Sequence, residues 1–483
     1  LSHDITVNKI IAETTTRLII TTGILISIFQ YLFNRSLWLD EAYLSLNIIL
    51  KSQFELLKPL DYQQMAPILF LQIEKLLSEL IPYSEYGLRL FSLICFAGSL
   101  FLFFKIIKLI HEEHFTIIYS LSLFVFNPTM IYYSSEVKQY MTDVLILIAV
   151  YYFALKKYDQ EEYRYYLLGT IGMAAIPLSN VSPIVLLSCG TYLLHDWIIN
   201  KNVRFRYLVG VACVWILSFL SYYYFFIMVH PLKNLMIVEW ENYGAFMPAN
   251  PFSMGFYHFL YQKGSMIILS LFNFGIIGGG GLLISMLLGM AFLIRKKKTD
   301  VMILILTPLI LHLLLSSFKL YPFDARLILY VCPCLIILSS FGIKYLAELL
   351  SAFIKIEKIG LLAVLFPLII FICFVCRVEY PIKRNEVKNS IMYIQQNMND
   401  DDTVYVNFLS RVPFLYYHHI SYSNMEHKKV FIGQRTMFWN KDKWSADVGK
   451  FSDDLSLLKG RVWFLFTSVA DEPEKMIFFK KTF

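Results

Sequence analysis

The chain has 483 residues, of which 57% are hydrophobic, 17% aromatic and only 16% charged. Soluble domains carry about a quarter charged residues, so this composition excludes an ordinary soluble enzyme and describes an α-helical polytopic membrane protein. The formal charge of +7 does not mark a nucleic-acid binder, because the lysines and arginines cluster in short loops between apolar runs, where they set orientation.

Residues 1–15 are short and polar. The apolar run 17–37 is long enough to cross a ~30 Å hydrocarbon core at about 1.5 Å per residue. Further runs lie at 87–110, 115–133, 141–157, 165–179, 181–199, 208–229, 266–294, 300–318, 325–347 and 360–378, predicting about eleven spans. With the N-terminus in the cytoplasm, Lys105, Lys108, Lys156, Lys157, Arg164, Lys201, Arg204, Arg206, 295–298, Lys344, Lys355 and Lys358 all fall on the inner side. An odd number of spans then places the C-terminal segment outside.

Where the first run ends, Asp40 and Glu41 stand side by side, preceded by Trp38 at headgroup depth and followed by no cation until Lys51. A carboxylate pair held at one depth on the outer face is a candidate catalytic base. The loop 38–86 carries two helical patterns: Leu46, Ile49, Leu50, Phe54 and Leu57, then Leu69, Ile73, Leu76, Leu77 and Leu80. Both predict amphipathic surface helices. A second outer loop, 230–265, holds Glu239, Trp240, Glu241, Tyr243 and His258, a composition suited to a lid or substrate loop.

The third run ends in Tyr133, Glu136, Tyr140 and Asp143, which share one face if the segment is helical. Asp143 falls one turn inside the next span, where an ionisable side chain costs roughly 2.5–3.5 kcal/mol unless paired or facing water. The plainer account is a carboxylate favouring the helix N-terminal dipole. Arg89 and Arg326 begin the second and tenth spans at headgroup depth, and guanidinium forks suit bidentate phosphate binding. Snorkelling, or pairing with Glu85 or Asp324, is the competing account.

All seven cysteines lie in apolar runs as small hydrophobes, with no disulfide framework. Cys332 and Cys334 point to different helix faces, which argues against a metal site. After Tyr380 the pattern changes to helix (386–398), strand (403–408), helix (411–420) and strands at 429–432 and 461–466. That alternation predicts a small α/β domain with a parallel sheet, 380–483, following a membrane domain of 1–379. It has no glycine-rich phosphate loop.

Four stretches, Leu37-Trp38-Leu39-Asp40-Glu41-Ala42-Tyr43, Asp61-Tyr62-Gln63-Gln64-Met65-Ala66-Pro67, Tyr86-Gly87-Leu88-Arg89-Leu90-Phe91 and the 132–143 segment, resemble bacterial family 39-like glycosyltransferases. These are multi-spanning GT-C enzymes of the superfamily that holds the protein O-mannosyltransferases and the aminoarabinose transferase. The resemblance covers the membrane part and is strongest over 30–145. It implies a bacterial inner-membrane enzyme with a GT-C fold. The implied reaction is inverting transfer of a sugar from a polyprenyl-phosphate donor to a hydroxyl on a lipid, glycan or protein acceptor. It also implies Asp40 as base, supported by Glu41, with Arg89 and Arg326 near the lipid phosphate. Asp143 would line the cavity, with Glu136, Tyr140, Tyr62 and Gln64 as further substrate contacts.

The chain departs from the family before Pro67, where Gln63, Gln64 and Met65 replace the cation or histidine of many relatives. Some members bind a divalent ion, which carboxylates with His258 could hold here; no cofactor is otherwise implied. Two carboxylates leave a covalent intermediate open beside direct displacement. A lipid-linked glycan flippase and a polymerase are the alternatives. Transporters, however, place charge near the midplane of repeated halves, and no repeat is visible here.

Overall fold

A computed structural model of the chain describes residues 2–82, 84–201, 204–273, 275–354, 380–384, 386–420, 429–434, 437–440, 443–446 and 448–466. In chain order its helices begin α1 (Ser2–Leu32), α2 (Leu39–Leu50), α3 (Ile68–Leu80), α4 (Glu85–Ile110), α5 (His114–Val125) and α6 (Pro128–Tyr133). They continue α7 (Tyr140–Leu155), α8 (Glu162–Leu178), α9 (Ser182–Asn200), α10 (Phe205–Tyr222), α11 (Lys233–Asn242) and α12 (Met254–Met266). The remainder are α13 (Gly275–Arg295), α14 (Thr299–Ser317), α15 (Cys332–Ile354), α16 (Val387–Asn397), α17 (Arg411–Ile420) and α18 (Val448–Ser456). Five strands complete the chain: β1 (Thr403–Val406), β2 (Lys429–Ile432), β3 (Met437–Asn440), β4 (Lys443–Ala446) and β5 (Val462–Leu465).

Among the described residues, 7 helical stretches are long and apolar enough to cross a membrane: Ala12–Leu32, Glu85–Ile110, Ser182–Asn200, Phe205–Ile227, Gly275–Arg295, Thr299–Ser317 and Leu329–Ser351. The chain is an integral membrane protein. Three of the predicted spans do not form helices of that length. The run 115–133 is cut in two because Asn127 caps α6, its side-chain oxygen accepting from Thr129 N (2.9 Å) and Met130 N (3.1 Å), with Pro128 at the first helical position. The runs at 141–157 and 165–179 form α7 and α8, of 16 and 17 residues. The last predicted span, 360–378, lies outside the described residues.

The chain forms two compact units, the first Leu1–Tyr31, Ala66–Leu71 and Arg89–Glu379, the second Leu32–Met65, Gln72–Leu88 and Tyr380–Phe483. In the first, α13 and α15 pack so closely that a Cβ on Gly342 would strike the Ser285 carbonyl and one on Gly289 the Leu338 carbonyl. Backbones this near are the usual device where lipid supplies no hydrophobic drive between helices. The polar groups buried at this seam find partners: Ser339 Oγ lies 2.6 Å from Ser285 Oγ and 2.7 Å from Tyr119 Oη. Cys332 and Cys334 turn to different partners, Asn127 and the Leu304 carbonyl, as expected for different helix faces.

In the second unit β1 lies between β2 and β5, all parallel, with Thr403 opposite Lys429 and Val462. The sheet is the one expected of the α/β segment, and β1 is buried throughout. Tyr405 Oη donates to Asp454 Oδ2 at 3.0 Å, and Gly433 leaves the room that ring needs. The antiparallel pair β3–β4 was not expected.

Of the outer loop's two helices, α3 covers its predicted pattern and α2 does not. α2 begins at Leu39, so Asp40 and Glu41 occupy its first turn, and it ends at Leu50, short of Phe54 and Leu57. α3 leaves part of its apolar stripe uncovered, Leu76 and Leu80 being 53% and 67% exposed, and buries Phe70, Leu71 and Glu74. Burial pushes the Glu74 carboxyl well above its ordinary value, and neither of its oxygens has a hydrogen-bond partner among the described residues.

Candidate active site

The second unit carries the carboxylate pair, and its sequence explains why the two neighbours differ. Residues 34–38 have no regular structure ahead of α2, and side chains one position apart on the new helix point about 100° apart. Glu41 turns inward, fully buried, and takes a charge-assisted hydrogen bond from Arg35 Nη1 at 2.6 Å. The same oxygen accepts from Trp38 N at 3.3 Å, satisfying one orphan amide at the helix start. Asp40, one residue earlier, stays half-buried. The pair therefore divides into a sealed, ion-paired carboxylate and a partly exposed one.

Around this turn the second unit closes a dense polar shell. Leu37 N donates to Tyr417 Oη at 2.7 Å, and Lys388 N donates to Ser36 Oγ at 3.1 Å. The Arg384 guanidinium lies 3.4 Å above the Trp38 ring. Glu85 accepts from Asn34 Nδ2 at 3.1 Å and from Lys388 Nζ at 3.3 Å.

Tyr62 and Gln64 sit in a loop tied to α2. Asn47 exchanges hydrogen bonds with the Asp61 backbone, 2.8 Å from its N and 3.2 Å to its O, and Tyr62 stacks on Tyr43 at 5.5 Å. Tyr62 and Gln63 both adopt left-handed backbone, with φ of 57° and 56°. Such conformations cost of order 1–3 kcal/mol each and collect at functional sites. Gln64 folds back on the Tyr62 carbonyl at 3.3 Å.

The first unit holds a separate cluster. The expected single helical face through Tyr133, Glu136, Tyr140 and Asp143 does not form, because α6 stops at Tyr133 and 134–139 is a turn before α7 starts. The turn nevertheless returns Tyr133 to Tyr140, ring centres 5.1 Å apart. Glu136 is fully buried, its carbonyl fixed by Ser92 Oγ at 2.6 Å. Arg326 lies 5.4 Å from the Trp240 ring and near enough to Tyr133 for its charge to reach that hydroxyl. Asp324 pairs with Lys263 at 3.9 Å. Asp143, in the first turn of α7, accepts from Ser179 Oγ at 2.6 Å and lies within electrostatic reach of Tyr321. Arg89 is buried at the start of this unit's part of α4.

Among the described residues no group of three histidine, cysteine, aspartate or glutamate side chains gathers closely enough to hold a metal ion, and His258 is exposed on α12. Arg35, Ser179 and Tyr417 belong to these shells without having been singled out in the sequence. Only Arg35, a lone cation just ahead of the pair, left a local sign.

Fold and composition together define an α-helical integral membrane protein with a small α/β segment after residue 380. No family model matches the chain, and no curated protein does. Among solved structures the chain is similar to ArnT from Cupriavidus metallidurans in the apo state, at a TM-score of 0.50 and 11% identity over 88% of this chain and 86% of that one. A second structure of that ArnT, bound to undecaprenyl phosphate, aligns at a TM-score of 0.47 and 11% identity over 92% and 88%. At such identity the likeness is one of fold.

Proposed function

We propose that the chain is a membrane glycosyltransferase that moves a sugar from a polyprenyl-phosphate donor to an acceptor hydroxyl on the extracytoplasmic face of a bacterial inner membrane. Asp40 is the general base. The observation that carries the reading is the division of labour at 40–41: Arg35 and the helix start occupy Glu41, while Asp40 stays half-exposed at the first turn of α2. A base must come within hydrogen-bond reach of the proton it takes, and a partly exposed carboxylate at a helix start can.

In this reaction Asp40 takes the acceptor's hydroxyl proton as its oxygen attacks the anomeric carbon. The bond from that carbon to the phosphate oxygen breaks on the opposite side, so the centre inverts and polyprenyl phosphate leaves with one more negative charge. In the membrane unit Arg326 and Arg89 are the cations assigned to that phosphate. Tyr140, Glu136 and Asp143 are assigned to the sugar and its surroundings, and Tyr62 and Gln64 to the acceptor side. The uncovered leucines of α3 suit a helix resting on lipid. No step is assigned to a metal ion.

The test incubates purified protein with a panel of radiolabelled polyprenyl-phosphate sugars and membrane extract, comparing wild type with Asp40→Asn. Wild type should consume one donor and label a new product, and Asp40→Asn should lose at least 100-fold in rate while inserting normally. Wild-type turnover in that variant removes Asp40 from the role. Labelled lipid crossing vesicle bilayers without product replaces the transferase by a flippase.

A further inference from the structure

Resting on the reading of Asp40 as base, we propose that the C-terminal segment is a positioning element for the base-bearing turn, acting chiefly through Tyr417. Tyr417 comes from α17, 380 positions along the chain from Leu37, and its hydroxyl takes the Leu37 amide hydrogen at 2.7 Å. Leu37 is fully buried, so that amide has no recourse to water and needs this acceptor. Ser36 accepts from the Lys388 backbone, and Arg384 covers the Trp38 ring. Three consecutive residues, 36, 37 and 38, are thus each held by the C-terminal segment, and Trp38 is the N-cap of α2.

The fastening fixes the direction in which α2 starts. Asp40 is the second residue of that helix, so a small rotation of the cap swings its carboxylate directly. A reacting group misplaced by about 1 Å loses on the order of 100-fold in rate. On the inner side Arg35 grips Glu41, so the turn is clamped from within by its own ion pair and from the far end of the chain by Tyr417. Tyr417 touches backbone rather than reactants and is a positioning residue. The α/β segment is thereby part of the transfer machinery, which its sheet and packing alone do not require.

The test compares full-length wild type, Tyr417→Phe and Asp40→Asn in detergent micelles. Hydrogen exchange is followed in the peptide spanning 34–42. Binding stoichiometry is measured with undecaprenyl phosphate as probe, and turnover with whichever labelled donor the wild type consumes. The expected result for Tyr417→Phe is at least tenfold faster exchange at 36–38, unchanged stoichiometry of the probe, and turnover per bound site lowered ten- to 100-fold. A purely structural role would lower stoichiometry and turnover together. Unchanged exchange, or faster exchange with wild-type turnover per site, overturns the proposal. If Tyr417→Phe does not fold, Arg384→Leu, at an exposed side chain, serves in its place with the same expected direction and the same overturning results. An inactive Asp40→Asn beside a fully active Tyr417→Phe defeats the positioning role alone. An active Asp40→Asn defeats the base assignment and the inference with it.

Discussion

Asp40 and Glu41 show how one residue step decides a side chain's surroundings. Glu41 is sealed with Arg35, and removing one partner of a buried pair strands the other charge at a cost of about 3–5 kcal/mol. Glu41→Ala should therefore lower the melting temperature of the detergent-solubilised protein markedly, whereas Asp40→Asn should leave it near wild type and act on turnover. Equal melting losses in both variants would contradict the division. Glu74 poses the opposite case, a buried acid with no partner among the described residues. Its folded pKa is raised, so between the ordinary carboxylate value and the raised one the folded state holds more protons than the unfolded. Stability then falls as pH rises through that window. Glu74→Gln should remove this part of the slope, melting above wild type at pH 7 and converging with it near pH 4; parallel curves for the two proteins would refute the account.

At the scale of elements, apolar runs made most helices legible, since length and hydropathy are local properties. The breaks were less so. Asn127-Pro128 is a recognisable helix start, and weighing it against the unbroken apolar run would have split α5 from α6. The turn at 134–139 has no such mark, because Tyr133 and Tyr140 meet through tertiary packing. α3 agrees with its reading as a surface helix, since Leu76 and Leu80 stay uncovered, but its stripe gave no sign that Glu74 would be buried on another side. The α13–α15 seam depends on two glycines with no space for a methyl group. Gly342→Ala should cost about 1–3 kcal/mol by overpacking, seen as a lower melting temperature. Gly280→Ala, which meets nothing, should be neutral or slightly stabilising; the reverse order would refute the seam.

At the scale of the whole molecule, the candidate base was visible as a local motif, but the grip on it was not. Tyr417 and Leu37 are joined by a contact that no periodicity or spacing announces. The second unit is discontinuous: it takes in 32–65 and 72–88 as well as the chain beyond 380. Composition changes at Tyr380 and shows where the α/β segment starts, yet it carries nothing about which earlier residues that segment will enclose.

That discontinuity gives the protein a schedule. A ribosome adding about 5–20 residues per second needs roughly 20–80 s to travel from Leu37 to Tyr417, which stands 380 positions later. Throughout that interval the helices of the membrane unit can enter the bilayer, while the turn that bears Asp40 has none of the hydroxyl, guanidinium and backbone partners that will seat it. A chain released before Tyr417 would insert with that turn unfastened. The turn is therefore seated only after Tyr417, 380 positions beyond Leu37, has been made.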